Sequence, residues 1–187
     1  MKNFIYLVAL FLGFSKLALA QRVGLTLGLS QIQIEGASGT EISSSGSYQF
    51  GALFYQPISE QFEVRLGALL AQESLVSTTN SIDTTLHLAN LNVPLTAGFR
   101  IGERVLLFAG PVLSINAQKS CSVSSGPTCK TSDLKIKGTD LQLSLGANFQ
   151  LTSELGLELT MDRMGGKPFE GSAGGQIINV NFQYFIE

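Results

Sequence analysis

The fold of this chain is decided by two alternating runs and the short polar turn between them: LQLSLGANFQLTSELGLELTMD, residues 141–162. In the first run leucine, alanine and phenylalanine occupy every second position, with glutamine, serine, glycine and asparagine between them. The second run repeats the pattern after Thr152-Ser153-Glu154. A period of two is typical of a strand with one apolar face and one polar face. The segment therefore predicts two antiparallel strands.

The same alternation recurs along the whole chain and predicts eight strands. The runs cover residues 23–30, 48–58, 62–70, 91–101, 105–116, 141–151, 155–162 and 178–186. Their connections alternate between short polar turns, at 59–61, 102–104 and 152–154, and long segments rich in Ser, Gly and Thr, at 31–47, 74–84, 117–133 and 165–174. Tilted strands of about 9–11 residues cross a bilayer, and short turns on one side with long loops on the other are typical of outer-membrane barrels. We predict an all-β, eight-stranded, antiparallel up-and-down transmembrane β-barrel.

Two prolines fall inside these runs, Pro94 in the fourth and Pro111 in the fifth. A proline removes a hydrogen-bond donor from the ladder between strands. Each therefore predicts a bulge or a local break in strand pairing rather than a functional site.

The polar faces of the runs carry few charges, and only 14% of the chain is charged. A face exposed to water usually carries more Lys and Glu, so this composition favours a narrow lumen packed with small residues. Buried charges need partners. We predict a structural charge network in the lumen, formed by Glu63, Arg65, Arg100, Glu158 and Asp162. Glu158 and Asp162 also suggest the paired carboxylates of glycoside hydrolysis, but two arginines facing the same lumen favour ion pairs.

The N-terminus has the layout of a secretory signal peptide. A short positive start, MKN, precedes an apolar run at 4–14, and Ala18-Leu19-Ala20 supplies small residues for cleavage. That layout predicts removal of residues 1–20 and a barrel domain over 21–187. The alternative, a buried helix or an uncleaved anchor, conflicts with the length of the apolar run, because a membrane span needs about 20 residues. An excess of acidic over basic residues argues against nucleic acid as a partner.

Cys121 and Cys129 enclose a polar segment that contains Gly126-Pro127, a turn signal. In an exported chain this spacing favours a disulfide that closes a loop, with two free thiols as the alternative. Two cysteines without an adjacent histidine lack the ligands for a tetrahedral zinc site. We predict a Cys121–Cys129 disulfide, no metal and no cofactor.

His87 is the single histidine, and Ser74, Ser77 and Ser81 lie near it in the sequence. Barrel enzymes that hydrolyse or transfer acyl chains combine a histidine with a serine and often an acid. A histidine at the edge of a loop is more often an ordinary surface residue. We therefore predict no catalytic residues and a protein that is not an enzyme.

Several motifs resemble those of the PorT-like outer-membrane β-barrel family of Bacteroidetes. The first is LANLNVPL at 88–95, which is similar to that family's L-x-x-L-x-[VI]-P-L strand. FAGP at 108–111, LGANF at 145–149 and LELTMDR at 157–163 follow in the family's order. The resemblance implies a barrel in the bacterial outer membrane. Most family members have no assigned function, and we do not transfer the founding member's role in secretion and gliding.

These observations leave three functional hypotheses. The first is a non-enzymatic outer-membrane protein with a structural or interaction role through long extracellular loops. Its partners would be outer-membrane lipid, the barrel-assembly machinery during biogenesis, and an extracellular or envelope protein. The second is a soluble exported barrel that binds a small apolar ligand. The third is a lipid-modifying barrel enzyme.

Overall fold

The computed structural model describes residues 22–36, 41–44, 46–79, 82–123, 138–165 and 172–186. The predicted signal peptide at 1–20 and Cys129 lie outside these residues, so cleavage and the disulfide stay predictions. Within the described ranges, no helix has the length and apolar character needed to cross a membrane.

The described residues form nine strand segments. In chain order they are β1 (Arg22–Gly36), β2 (Glu41–Ser44), β3 (Ser47–Pro57), β4 (Phe62–Thr79), β5 (Ile82–Ile101), β6 (Val105–Val123), β7 (Thr139–Gln150), β8 (Leu155–Met164) and β9 (Ser172–Ile186). β2 and β3 both pair with β1 on one side and with β4 on the other, so they share one position in the sheet. Gly46, with φ 69°, lies between them and supplies the positive φ typical of an irregularity of this kind.

The sheet closes on itself. Each strand pairs antiparallel with the next, and β9 pairs with β1 from Val23↔Ile186 to Gly36↔Ser172. With β2 and β3 counted as one strand, the result is an eight-stranded antiparallel barrel, which confirms the predicted fold.

The three short turns lie where the sequence predicts them. Ser59 Oγ accepts a hydrogen bond from the Phe62 N–H at 3.1 Å, and Thr152 Oγ1 accepts one from the Leu155 N–H at 3.0 Å. Gly102 adopts φ 61° in the third turn. Side-chain bonds to the backbone and glycines with positive φ stabilise tight turns, which explains the choice of residues.

The polarity of the wall is the reverse of that in a soluble protein. Leu27, Leu29 and Phe182 point outward and are 63%, 71% and 64% exposed, whereas Asn181 and Gln183 point inward and are 1% exposed. Large exposed apolar side chains on β1 and on β3 to β9 form an outer belt of this kind. A contiguous apolar exterior around a polar interior is the arrangement of a barrel that contacts lipid.

Strands β4, β5 and β6 continue well past this belt, which corrects the predicted loops at 74–84 and 117–133. The predicted loop at 31–47 is also wrong in part, because β1 continues to Gly36 beside β9 and β2 occupies Glu41–Ser44. β4 and β5 stay paired from Leu70↔Leu91 to Thr79↔Ile82. β6 continues beside β5 to Val123 after a register shift between Ala89 and Asn90. We call residues 71–79, 82–90 and 116–123 the extension. Its outer positions are mostly Ser, Thr and Gln. Because this composition is also typical of a loop, the sequence did not indicate these strands.

The two prolines produce local breaks, as predicted, without shifting the register. Neighbouring pairs next to Pro94 are missing from both ladders of β5, between Leu66↔Leu95 and Leu69↔Asn92 and between Pro94↔Val112 and Ala97↔Ala109. Beside Pro111, the backbones of β5 and β6 approach closely at Gly110. A Cβ added there would lie 2.3 Å from the Leu95 carbonyl oxygen, so this position requires glycine.

Replacement of Leu145, an outward residue of β7, by arginine tests the membrane face. We expect Leu145→Arg to lower the free energy of unfolding in phospholipid vesicles by about 2–4 kcal/mol, because a cation then faces hydrocarbon. Ser120→Arg, on the exposed outer side of the extension, is the control and should change it by less than about 0.5 kcal/mol. Urea unfolding measures both. If Leu145→Arg left the free energy of unfolding unchanged, this result would contradict a belt that faces lipid.

Candidate functional site

The inward residues of the strands bring a buried ion pair to the middle of the lumen. Arg65 on β4 and Glu158 on β8 are in contact, with 2.6 Å between Nη2 and Oε2, and both side chains are 3% exposed. The Arg65 guanidinium carbon lies 3.6 Å from the centre of the Phe108 ring and 5.2 Å from that of Tyr55. A cation over aromatic faces is stabilised by their electron density, which helps to compensate for the lost hydration of Arg65.

Neutral amides complete the coordination of Glu158. Its Oε2 also accepts a hydrogen bond from Gln183 Nε2 at 2.9 Å, and its Oε1 accepts one from Asn181 Nδ2 at 3.2 Å. The Asn181 Oδ1 in turn accepts from Gln49 Nε2 at 2.8 Å. A buried carboxylate is tolerated when charges and donors around it replace water. Strands β4, β8 and β9 thereby meet at Glu158, and β3 joins them through Asn181.

The same network reaches β7 through Gln183. Its Oε1 accepts a hydrogen bond from the Tyr55 hydroxyl at 2.7 Å and another from Asn148 Nδ2 at 2.7 Å. Networks in which each member has a partner rigidify a core and specify one arrangement.

The other three predicted charges lie elsewhere in the lumen. Arg100 Nη2 contacts Glu63 Oε2 at 2.5 Å near the short turns, and Arg100 remains 28% exposed. Asp162 Oδ2 accepts a hydrogen bond from Asn179 Nδ2 at 2.8 Å. Among the described residues, Asp162 forms no direct salt bridge. The five charges are therefore two ion pairs and one amide-bound carboxylate rather than one contiguous network.

Apolar clusters close the lumen on both sides of this polar layer. One packs towards the short turns: Leu53, Tyr55, Leu69, Leu106, Phe108 and Phe185. The other packs on the inner side of the extension, with Cys121 and Met164 against it: Ile32, Ile34, Leu75, Leu86, Leu88 and Ile177. Between them a cavity of about 30 Å³ borders Arg65, Glu158 and Asp162. An eight-stranded barrel of this kind has a filled interior.

The structure brings together one of the serines near His87. Ser74 Oγ lies 2.9 Å from His87 Nδ1, and the two residues are directly opposite each other on β4 and β5. Ser74 is only 8% exposed, and its N–H donates to Ser47 Oγ at 3.4 Å. No carboxylate among the described residues bonds to His87. The structure shows this contact as a hydrogen bond across the β4–β5 pair. Ser81 lies outside the described residues.

Cys121 lies near the end of β6, partly buried against the inner cluster of the extension. Its predicted disulfide partner is outside the described residues. No group of three or more His, Cys, Asp and Glu side chains in the described ranges could hold a metal ion.

The neutral members of the lumen network were not predicted. A signal for them exists, because Asn179, Asn181 and Gln183 alternate along β9 on one face. Which of them contacts Glu158 depends on the stagger of strands that are far apart in sequence.

The family comparison decides the protein's class. The sequence profile described as Outer membrane protein beta-barrel domain matches residues 4–184. The chain belongs to this family. It is a protein of the bacterial outer membrane, with its belt in lipid, and the hypothesis of a soluble exported barrel is wrong.

Solved structures agree on the fold. Ail, the attachment invasion locus protein of Yersinia pestis, is similar with a TM-score of 0.50 and 12% identity, over 89% of this chain and 97% of Ail. Neisserial surface protein A matches with a TM-score of 0.50 and 12% identity, over 88% of this chain and 96% of that one. At such identity the likeness concerns the fold alone. A comparison with curated proteins finds no match.

Removal of each arginine measures the two ion pairs separately. We expect Arg65→Ala to lower the free energy of unfolding by about 3–5 kcal/mol, because Glu158 keeps a buried charge without its cation. Arg100→Ala should lower it by about 1 kcal/mol, because water reaches that end of the lumen. Urea unfolding of the barrel in phospholipid vesicles gives both values, and equal losses would contradict the difference in burial.

Proposed function

We propose that this protein is a non-enzymatic outer-membrane barrel that binds a protein partner of the envelope or the cell exterior through its extracellular side. The observation that carries the proposal is the extension. Strands β4, β5 and β6 contain 18, 20 and 19 residues, against 15 each for β1 and β9 and 12 and 10 for β7 and β8. About ten residues suffice to cross the bilayer, so the surplus stands above it.

The side of the membrane follows from the connections. Outer-membrane barrels have short turns towards the periplasm and long connections towards the exterior. The turns at 59–61, 102–104 and 152–154 therefore mark the periplasmic end, and the extension points out of the cell.

The inner cluster gives the extension its rigidity. Leu75, Leu86 and Leu88 of the extension pack with Ile32, Ile34 and Ile177, and all six are buried. Burial of such side chains contributes about 1.5–3 kcal/mol each, so a small hydrophobic core holds the strands together above the membrane. A paired, packed sheet presents a fixed surface, which favours recognition because little conformational entropy is lost on binding.

The outer side of the extension offers uncharged polar groups to a partner. Gln118, Ser120 and Ser122 on β6 are exposed, and His87 on β5 lies directly opposite Ser120. The predicted Cys121–Cys129 disulfide would anchor the adjoining loop to this sheet and limit its motion.

The PorT-like motifs at 88–95 and 108–111 fall on β5 and β6, and the first of them begins in the extension at residues 88–90. Export would use the signal peptide at 1–20, and assembly machinery would insert the barrel. The buried Ser74 and the filled lumen favour a binding role over lipid hydrolysis or solute transport.

Site-specific photo-crosslinking in living cells tests the proposal. A benzophenone amino acid at Ser120 or Ser122 faces the exterior from the extension, and the same residue at Glu60 or Glu103 in a periplasmic turn is the control. We expect a discrete protein adduct from the extension after irradiation and none of the same mass from the turns.

Two results would contradict this proposal. One is a protein adduct formed only from the periplasmic turns, which would place the binding surface at the wrong end. The other is that the purified barrel releases fatty acid from outer-membrane lipid and that His87→Ala abolishes this release. That result would establish an enzyme.

A further inference from the structure

Arg65 uses only part of its hydrogen-bonding capacity in its contact with Glu158. A guanidinium carries five N–H donors, and the contact to Glu158 is made by Nη2. The Nε and Nη1 atoms are buried and have no hydrogen-bond partner. Buried donors without partners are rare in native proteins and point to a ligand or a water molecule.

Two acceptors and one hydroxyl without partners surround the same cavity. Asp162 Oδ1, Asn92 Oδ1 and Thr96 Oγ1 are all buried and unbonded. Their residues line the cavity together with Arg65. Asn92 and Thr96 are 8% and 3% exposed, so bulk solvent does not supply the missing bonds.

The size and chemistry of the cavity select its occupant. Its volume of about 30 Å³ holds about two water molecules, since each needs about 10–15 Å³. An occupant that bonds to both sets of atoms must accept hydrogen bonds from Arg65 and donate them to Asp162 Oδ1 and Asn92 Oδ1, whereas the Thr96 hydroxyl can donate or accept. A bare cation would be repelled by Arg65, and an anion by Asp162. Water alone satisfies both.

We propose that Arg65 is the shared counter-charge of two lumenal carboxylates, Glu158 by direct contact and Asp162 through water bound in this cavity. Glu158 and Asp162 both face the lumen from β8, while Arg65 is on β4. Three strand positions separate β4 from β8 in either direction around the barrel. The single cation therefore links opposite sides of the barrel wall through two carboxylates that lie at different heights along the barrel axis.

A crystal structure that resolves ordered water tests the occupant. We expect one or two water molecules within hydrogen-bonding distance of Arg65 Nε or Nη1 and of Asp162 Oδ1. A dry cavity, a bound ion, or a direct Arg65–Asp162 contact would overturn the proposal.

Charge removal tests the coupling independently of crystals. In Arg65→Gln, two carboxylates remain in the lumen without their cation, and we expect a lower folded fraction on heat-modifiability gels and a lower urea midpoint. Addition of Asp162→Asn to this variant should restore a large part of the folded fraction and of the urea midpoint. Addition of Glu158→Gln should do the same. Adding Glu63→Gln is the control and should recover clearly less than either, because Glu63 keeps its direct partner Arg100.

The test remains informative even if Arg65→Gln alone does not fold. The folded fraction of this variant is then zero, and any folded protein in a double variant measures recovery. If Asp162→Asn changes the folded fraction and the urea midpoint equally with and without Arg65, the two residues are not coupled and the proposal fails.

Discussion

The bilayer core contains no water, so every backbone N–H and C=O within it must find a partner inside the protein. That constraint requires each strand to have two neighbours, and the pairing of β9 with β1 along its whole length meets it. Closure with only eight strands leaves a narrow interior that side chains fill. The apolar face of every strand must then point outward to lipid, and the polar face inward.

A polar interior is stable only when its charges are compensated, and Arg65 and Glu158 show how this is achieved. Their contact crosses the barrel from β4 to β8, and amides of Asn181 and Gln183 supply the remaining donors to the carboxylate. The Arg100–Glu63 pair lies at the rim next to the short turns, where the partial exposure of Arg100 lowers the cost of its charge. Because this packing occupies the lumen, we propose that binding takes place at the extension.

The sequence was sufficient to predict the features that depend on local pattern. Alternation predicted the strands, the outward apolar face and the inward position of all five charges, and residues such as Ser59 and Thr152 marked the turns. Alternation did not predict the extension. There the inward positions, such as Leu75, Leu86 and Leu88, are still apolar, but the outward positions are Ser, Thr and His instead of large apolar residues. Such a segment resembles a loop in composition. It also could not assign Arg65 to Glu158, since contacts across the lumen depend on the stagger of the closed barrel.

The central claim is that the lumen is closed by its own side chains. A liposome-swelling assay with purified protein and a small sugar, with a general porin as the positive control, tests it most directly. We expect no swelling above that of empty liposomes at any protein-to-lipid ratio. Steady swelling that increases with the amount of protein would show an open path through the barrel and contradict this account.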